Sequence, residues 1–174
     1  MADVVPVPES PLATTDPRVE RVARPAGWLA AVEANHRAPG AFATAGSVES
    51  GTWLAQGTWA ARKPIGIDPS VTDSDLVDIA VPVTVVDPQL QASANTDASD
   101  IVFTAADGTT RLDHVIESWD SGTGSLTAWV RVPLLSSSSA TELFVYYANP
   151  AAQDQQDGPA VFGPTTDLTL MGTS

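Results

Sequence analysis

From residue 126 to 132 an aliphatic side chain occupies every second position. Leu126, Ala128, Val130 and Val132 fall on one parity, and Thr127, Trp129 and Arg131 on the other. A period of two belongs to an extended chain with one face buried against a core. Short β-rich runs of comparable length fill the rest of the chain from Gly57 onward, and the reading predicts strands over 58–68, 77–86, 100–105, 110–118, 125–132 and 141–148. Turn signals separate them. Asp107-Gly108 marks a hairpin, because a positive φ is cheap there, and Ser121-Gly122-Thr123-Gly124 marks the next reversal. Pro82 inside the second run offers no backbone donor, so that run belongs at a sheet edge or carries a bulge. Six short strands of this kind predict an all-β fold: an antiparallel, jelly-roll-like β-sandwich.

The segment before Gly57 has a different character. Pro6, Pro8, Pro11 and Pro17 fix φ and remove donors, and Asp16-Pro17 and Arg24-Pro25 turn their preceding residues away from helix. An extended entry follows. Pro25 then suits the first position of a short helix at about 26–37, which places Trp28, Ala31, Val32 and Asn35 on one face before Pro39-Gly40 ends it. So short a helix does not persist alone and needs a surface to cover. The expected organisation is an extended Pro-rich anchoring arm over 1–56, with Trp28, Leu29 and Val32 as its anchors, then a sandwich over 57–150 and a tail over 151–174.

Composition narrows the function. The chain has no cysteine, so neither a disulfide framework nor a thiolate metal site can hold it together. No apolar run approaches the ~20 residues that span a bilayer. The start, Met1-Ala2-Asp3-Val4-Val5-Pro6, has neither a basic head nor an apolar stretch of the Sec type, so synthesis in the cytoplasm without a signal peptide is expected. Residues 1–63 hold six acids and six bases, so the net charge of -13 rests wholly on residues 64–174, where Arg111 and Arg131 are the only bases. Such a surface repels phosphate backbones and argues against nucleic acid as a partner.

Chemistry-bearing residues are few. A nucleophilic triad would have to use His114, but Asp113 and His114 are neighbours on a strand and face opposite ways. His114 is expected on the surface of a hairpin. Asp113, Val115 and Glu117 share a face by parity and read as a solvated polar face rather than as paired glycosidase acids. No catalytic residue and no enzymatic activity are expected. No cofactor is expected either; calcium is the one ion the loop acids would suit, through Asp97, Asp100 and Asp107, whose other role is to cap Asx turns. Trp119 and Trp129 are the two aromatic side chains that could stack on a sugar, while Trp53 and Trp59 are expected to seal the junction with the arm.

Several segments in order, Trp59-Ala60-Ala61-Arg62-Lys63-Pro64-Ile65-Gly66-Ile67-Asp68, Ser99-Asp100-Ile101-Val102-Phe103, Leu112-Asp113-His114-Val115-Ile116-Glu117-Ser118-Trp119 and Phe144-Val145-Tyr146-Tyr147-Ala148-Asn149, carry a resemblance. From Trp59 to Asn149 the chain resembles a small β-domain family of unknown function found in bacterial and archaeal surface proteins and in phage minor tail proteins. Members are often followed by a second sandwich, whereas here Ala152-Gln153-Asp154-Gln155-Gln156 leads into a short tail. Taken with the missing export signal, the resemblance implies a virion structural protein of a tailed phage: a minor tail or baseplate protein, or a capsid decoration or fibre. It would be held in many copies by other virion proteins through its arm, without membrane insertion, and would display the sandwich for weak host-glycan attachment. The competing expectation is a secreted or surface carbohydrate-binding module with no virion role.

Overall fold

The computed structural model describes residues 26–53 and 58–163. Two antiparallel sheets pack face to face. The larger holds β1 (Ala43–Ala45), β2 (Glu49–Trp53), β3 (Trp59–Ile67), β5 (Val102–Ala105), β6 (Arg111–Leu112) and β9 (Thr141–Tyr147), in the order β1-β3-β9-β5-β6 with β2 also paired to β3. The smaller holds β4 (Leu76–Val86), β7 (His114–Asp120) and β8 (Ser125–Leu135), in the order β4-β8-β7. Successive strands cross between the two sheets, as in jelly-roll-like sandwiches.

Alternation decides what lies between the sheets. Val81, Val83 and Val85 of β4 stand opposite Val130, Ala128 and Leu126 of β8, and all six are buried. Ile65 and Ile67 of β3, Phe103 of β5, and Leu143 and Val145 of β9 meet them from the other sheet. β9 is buried on both faces, because its outward Phe144 and Tyr146 pack with Trp59 and Val102 in a second cluster. Each large side chain removed from water in this way contributes about 1.5–3 kcal/mol. That burial serves a chain without cysteine as its main source of stability.

Pro82 lies where its missing donor does no harm. The Trp28 Nε1–H donates to the Ala80 carbonyl on the outer side of β4, 2.8 Å away, while the Asp87 N–H donates to the Gly124 carbonyl on the β8 side. By parity Pro82 points its nitrogen outward with Ala80, so no ladder bond is lost, and β4 is indeed an edge strand.

The predicted run at 110–118 divides into two strands. β6 pairs with β5 in the larger sheet, β7 with β8 in the smaller, and the chain changes sheets at Asp113. A bulge follows: Ile116 stands opposite Ala128 but Ser118 opposite Thr127, leaving Glu117 as the extra residue.

The described residues before Gly57, 26–53, pack on the sandwich. Helix α1 (Ala26–Arg37) lays Trp28 and Val32 against the outer face of the smaller sheet, with Ala31 and Asn35 buried. Pro39-Gly40 ends α1 but opens a second helical turn, α2 (Pro39–Phe42), and Phe42 and Ala43 enter the main core. The partner surface that so short a helix requires is its own domain. Leu29 is 58 % exposed. The expected Pro-rich extended entry lies outside the described residues. Among the described residues after Asn149, α4 (Gly158–Phe162), capped by the Asp157 side chain, sets Val161 and Phe162 against Trp129.

Candidate functional site

The densest polar construction is the loop between α3 (Pro88–Ser93) and β5. Asp100 is fully buried, and its carboxylate accepts the backbone N–H groups of Asn95 at 2.8 Å and Asn149 at 3.1 Å. Its carbonyl accepts the Trp59 indole N–H at 2.7 Å, and the Trp119 indole N–H donates to the Asn95 carbonyl at 3.0 Å. Two alanines flank this hub in the left-handed region, Ala98 at φ 59° and Ala148 at φ 65°. A non-glycine residue there costs about 1–2 kcal/mol, so the hub must hold both turns in place. Through its carboxylate Asp100 ties the Asn95 loop and the end of β9 to the start of β5, its own carbonyl adds the start of β3, and the Asn95 carbonyl adds the tip of β7.

The two tryptophans expected to meet sugar are both turned into the fold. Trp129 is 3 % exposed, stacked on Trp28 with ring centroids 6.4 Å apart and edge-on to Phe162 at 5.7 Å, and its Nε1–H donates to the Glu117 carboxylate at 2.8 Å. Its outward parity is as read, but α1 and α4 cover that face. Trp119 is half-buried against the main core, because the bulge at Glu117 reverses the parity of the strand end and sets Trp119 opposite Leu126. Trp59 stands opposite Trp53 where β2 pairs with β3, and it lies on the outer face of the larger sheet with Phe144 and Tyr146, under the Arg111 guanidinium at 4.9 Å. The side chain of Trp53 lies outside the described residues.

The three acids expected to suit calcium are not gathered. Asp97 accepts from the Ser99 amide and hydroxyl. Asp107 accepts from the amides of Thr109 and Thr110 and from the Thr110 hydroxyl, hydrogen bonds that hold its carboxyl down at about 2. Asp100 is enclosed in its hub. Among the described residues no group of three or more His, Cys, Asp or Glu side chains is placed to hold a metal ion. The Asx-turn role of Asp97 and Asp107 is the one their geometry carries.

His114 is in the interior, not on the surface of a hairpin. It is 2 % exposed, with Nδ1 3.3 Å from the Leu112 carbonyl, the ring edge-on to Phe103 at 5.4 Å and Nε2 without a partner. The sheet change at Asp113 turns it inward opposite Val130. Burial pushes the imidazole below its ordinary 6.5, outweighing the upward pull of the Leu112 and Ile101 backbone and the weaker pull of Asp154 and Asp113. The unfolded chain therefore takes up this proton first. The contribution to stability is complete above 6.5 and is lost as pH falls from there toward the lowered value. Urea midpoints should hold steady at neutral pH and decline below about 6.5, well before aspartates with ordinary values near 3.9 titrate. His114→Gln should flatten that limb, with the exposed His36 as internal control. A decline of unchanged slope in the variant would show that His114 is not its source.

Arginines cover the outer face of the larger sheet. Arg62 bonds Glu49 at 2.6 Å and the Tyr146 hydroxyl at 3.0 Å and lies 4.2 Å over Phe144. On the smaller sheet Arg131 grips Asp78 through two bonds of 2.5 Å and reaches the Ala160 carbonyl at 2.7 Å, which fixes α4. No sequence signal pointed to these roles; the spacing of Arg131 and Asp78 becomes meaningful only once β4 and β8 are paired.

No curated protein and no solved structure matches the chain. A family model does: residues 97–167, which contain the Asp100 hub, His114 and Trp129, match that of a domain of unknown function, DUF2341, in keeping with the resemblance to a small β-domain family of unknown function.

Proposed function

We infer that this chain is a non-catalytic display module, a β-sandwich held on the outside of a larger assembly, and that the assembly is the virion of a tailed phage, with the chain as a minor tail, baseplate or decoration protein. The observation that carries the display reading is a layer built on one outer face: Trp28 of α1 and Phe162 of α4 flank Trp129 there, which marks that face as the one through which the domain is attached. A domain attached through one face projects from its support instead of lying in line with it. The acidic surface of residues 64–174 supports an outward position, away from packaged nucleic acid. The virion assignment is supported by the resemblance to phage minor tail proteins. Because Trp119 and Trp129 are both turned inward, the reading includes no sugar platform.

Purified particles provide the test. Mass spectrometry should find the chain at a fixed copy number per particle, and antibodies against the sandwich should label intact particles. Recovery only in the soluble fraction of the lysate would overturn the virion assignment, and labelling only after disruption would overturn outward display.

A further inference from the structure

A charged pair bridges the two sheets from inside the sandwich. Lys63, on β3, points inward with Ala61, Ile65 and Ile67, and its ammonium meets Oδ2 of Asp87 at the end of β4; the two residues are 5 % and 7 % exposed. The other carboxylate oxygen, Oδ1, accepts two backbone N–H groups at the start of α3, from Gln89 at 2.8 Å and Leu90 at 3.0 Å. Tyr147 stands on β9 beside this pair. Its hydroxyl is buried with no hydrogen-bond partner, and burial with the charge of Asp87 pushes it up to about 12. The chain packs closely against the Asp87 backbone: a Cβ on Gly124, at φ +71°, would fall 2.2 Å from the Asp87 carbonyl oxygen.

A buried ion pair is an expensive way to join two sheets, since two charges must leave water and their attraction only partly offsets that. Here the pair has further parts that an ion pair does not use. The amine is a nucleophile and the carboxyl an electrophile, two N–H groups sit on the oxygen that would carry negative charge, and an unpaired hydroxyl lies nearby.

We propose that Lys63 and Asp87 condense into an intramolecular isopeptide bond that staples β3 to the end of β4 across the core. Burial pushes the Asp87 carboxyl up, but Lys63 and the two backbone N–H groups outweigh it, so the resting pair is ionic. Transfer of one proton from Nζ to Oδ2 within the pair gives a neutral amine and a neutral acid. Nζ then attacks Cγ, forming the Nζ–Cγ bond. The tetrahedral adduct carries its negative charge on Oδ1, held by the Gln89 and Leu90 N–H groups. A second proton passes from Nζ to Oδ2, a transfer that the neighbouring Tyr147 hydroxyl would assist, and the Cγ–Oδ2 bond breaks to release water. One ammonium and one carboxylate become one amide and one water. Charge balances, nothing is oxidised or reduced, and no co-reactant is needed. Held in contact and largely buried, the groups have the high effective concentration that favours condensation. The product also removes both buried charges.

The test is the intact mass of the folded full-length chain. It should be lighter than the sequence mass by one water, and proteolysis should yield a branched peptide joining the Lys63 and Asp87 segments. Lys63→Arg keeps the charge but lacks the amine, and should restore the sequence mass. Tyr147→Phe, which removes only the unpaired hydroxyl, should give a mixture of linked and unlinked chains soon after folding. A wild-type chain of unreduced mass after prolonged incubation, with no branched peptide, would show an ion pair only and overturn the proposal, whether or not either variant folds.

Discussion

Alanine at Asp100 should lower stability by about 3–5 kcal/mol, the sum of leaving two enclosed backbone donors without a charged acceptor. The carboxylate has no water contact, so the amides of Asn95 and Asn149 cannot turn to solvent when it is removed. Ala98 and Ala148 add to the loss, because the left-handed turns they occupy persist only while the surrounding contacts hold them. Asp100→Asn should fall between, since it keeps one acceptor and points an amide donor at the other N–H. Urea unfolding with a constant slope measures both. A change of under about 1 kcal/mol in the alanine variant would mean the hub is not a stability centre. Asp97→Ala, in an exposed turn a few residues away, should cost far less, and that contrast distinguishes the buried carboxylate from an Asx cap.

The difference between those two aspartates marks what the sequence can reveal. Both lie in Asp97-Ala98-Ser99-Asp100 with turn chemistry around them, and nothing local says which enters the core. Asp100 does so because its partners, Asn149 and Trp59, are 49 and 41 residues away in the chain and arrive only with the fold. The strands were legible for the opposite reason. Period-two alternation, Asp107-Gly108 and Pro82 act within a few residues, and the sandwich follows from them. Where the reading failed, a local rule was broken by something nonlocal or by one extra residue. The change of sheet at Asp113 buries His114, and the bulge at Glu117 turns Trp119 inward. Lys63 alternates with Ala61, Ile65 and Ile67 and so was marked as inward-facing by its neighbours, yet a lysine at such a position becomes interpretable only with Asp87 opposite it.

Trp129→Ala should have the second large effect, about 3–5 kcal/mol, because a fully covered indole is lost from a closed face. The loss has a location. Trp129 touches both Trp28 of α1 and Phe162 of α4, so its removal should free both helices from the smaller sheet while the core between the sheets, built on the opposite parity, stays packed. Limited proteolysis should then cut near α1 and α4 before it cuts any strand. A double-mutant cycle with Trp28→Ala should return a coupling of about 0.5–1.5 kcal/mol, the range for stacked aromatic pairs beyond simple burial. A sugar-stacking residue would behave in the opposite way: truncation would leave stability nearly untouched and abolish ligand binding. Wild-type urea midpoint and wild-type protease resistance in Trp129→Ala would therefore refute the packing role and return Trp129 to the surface as a contact residue. Stability loss confined to the two helices would instead place their attachment, and with it the projection of the sandwich from its support, on this one indole.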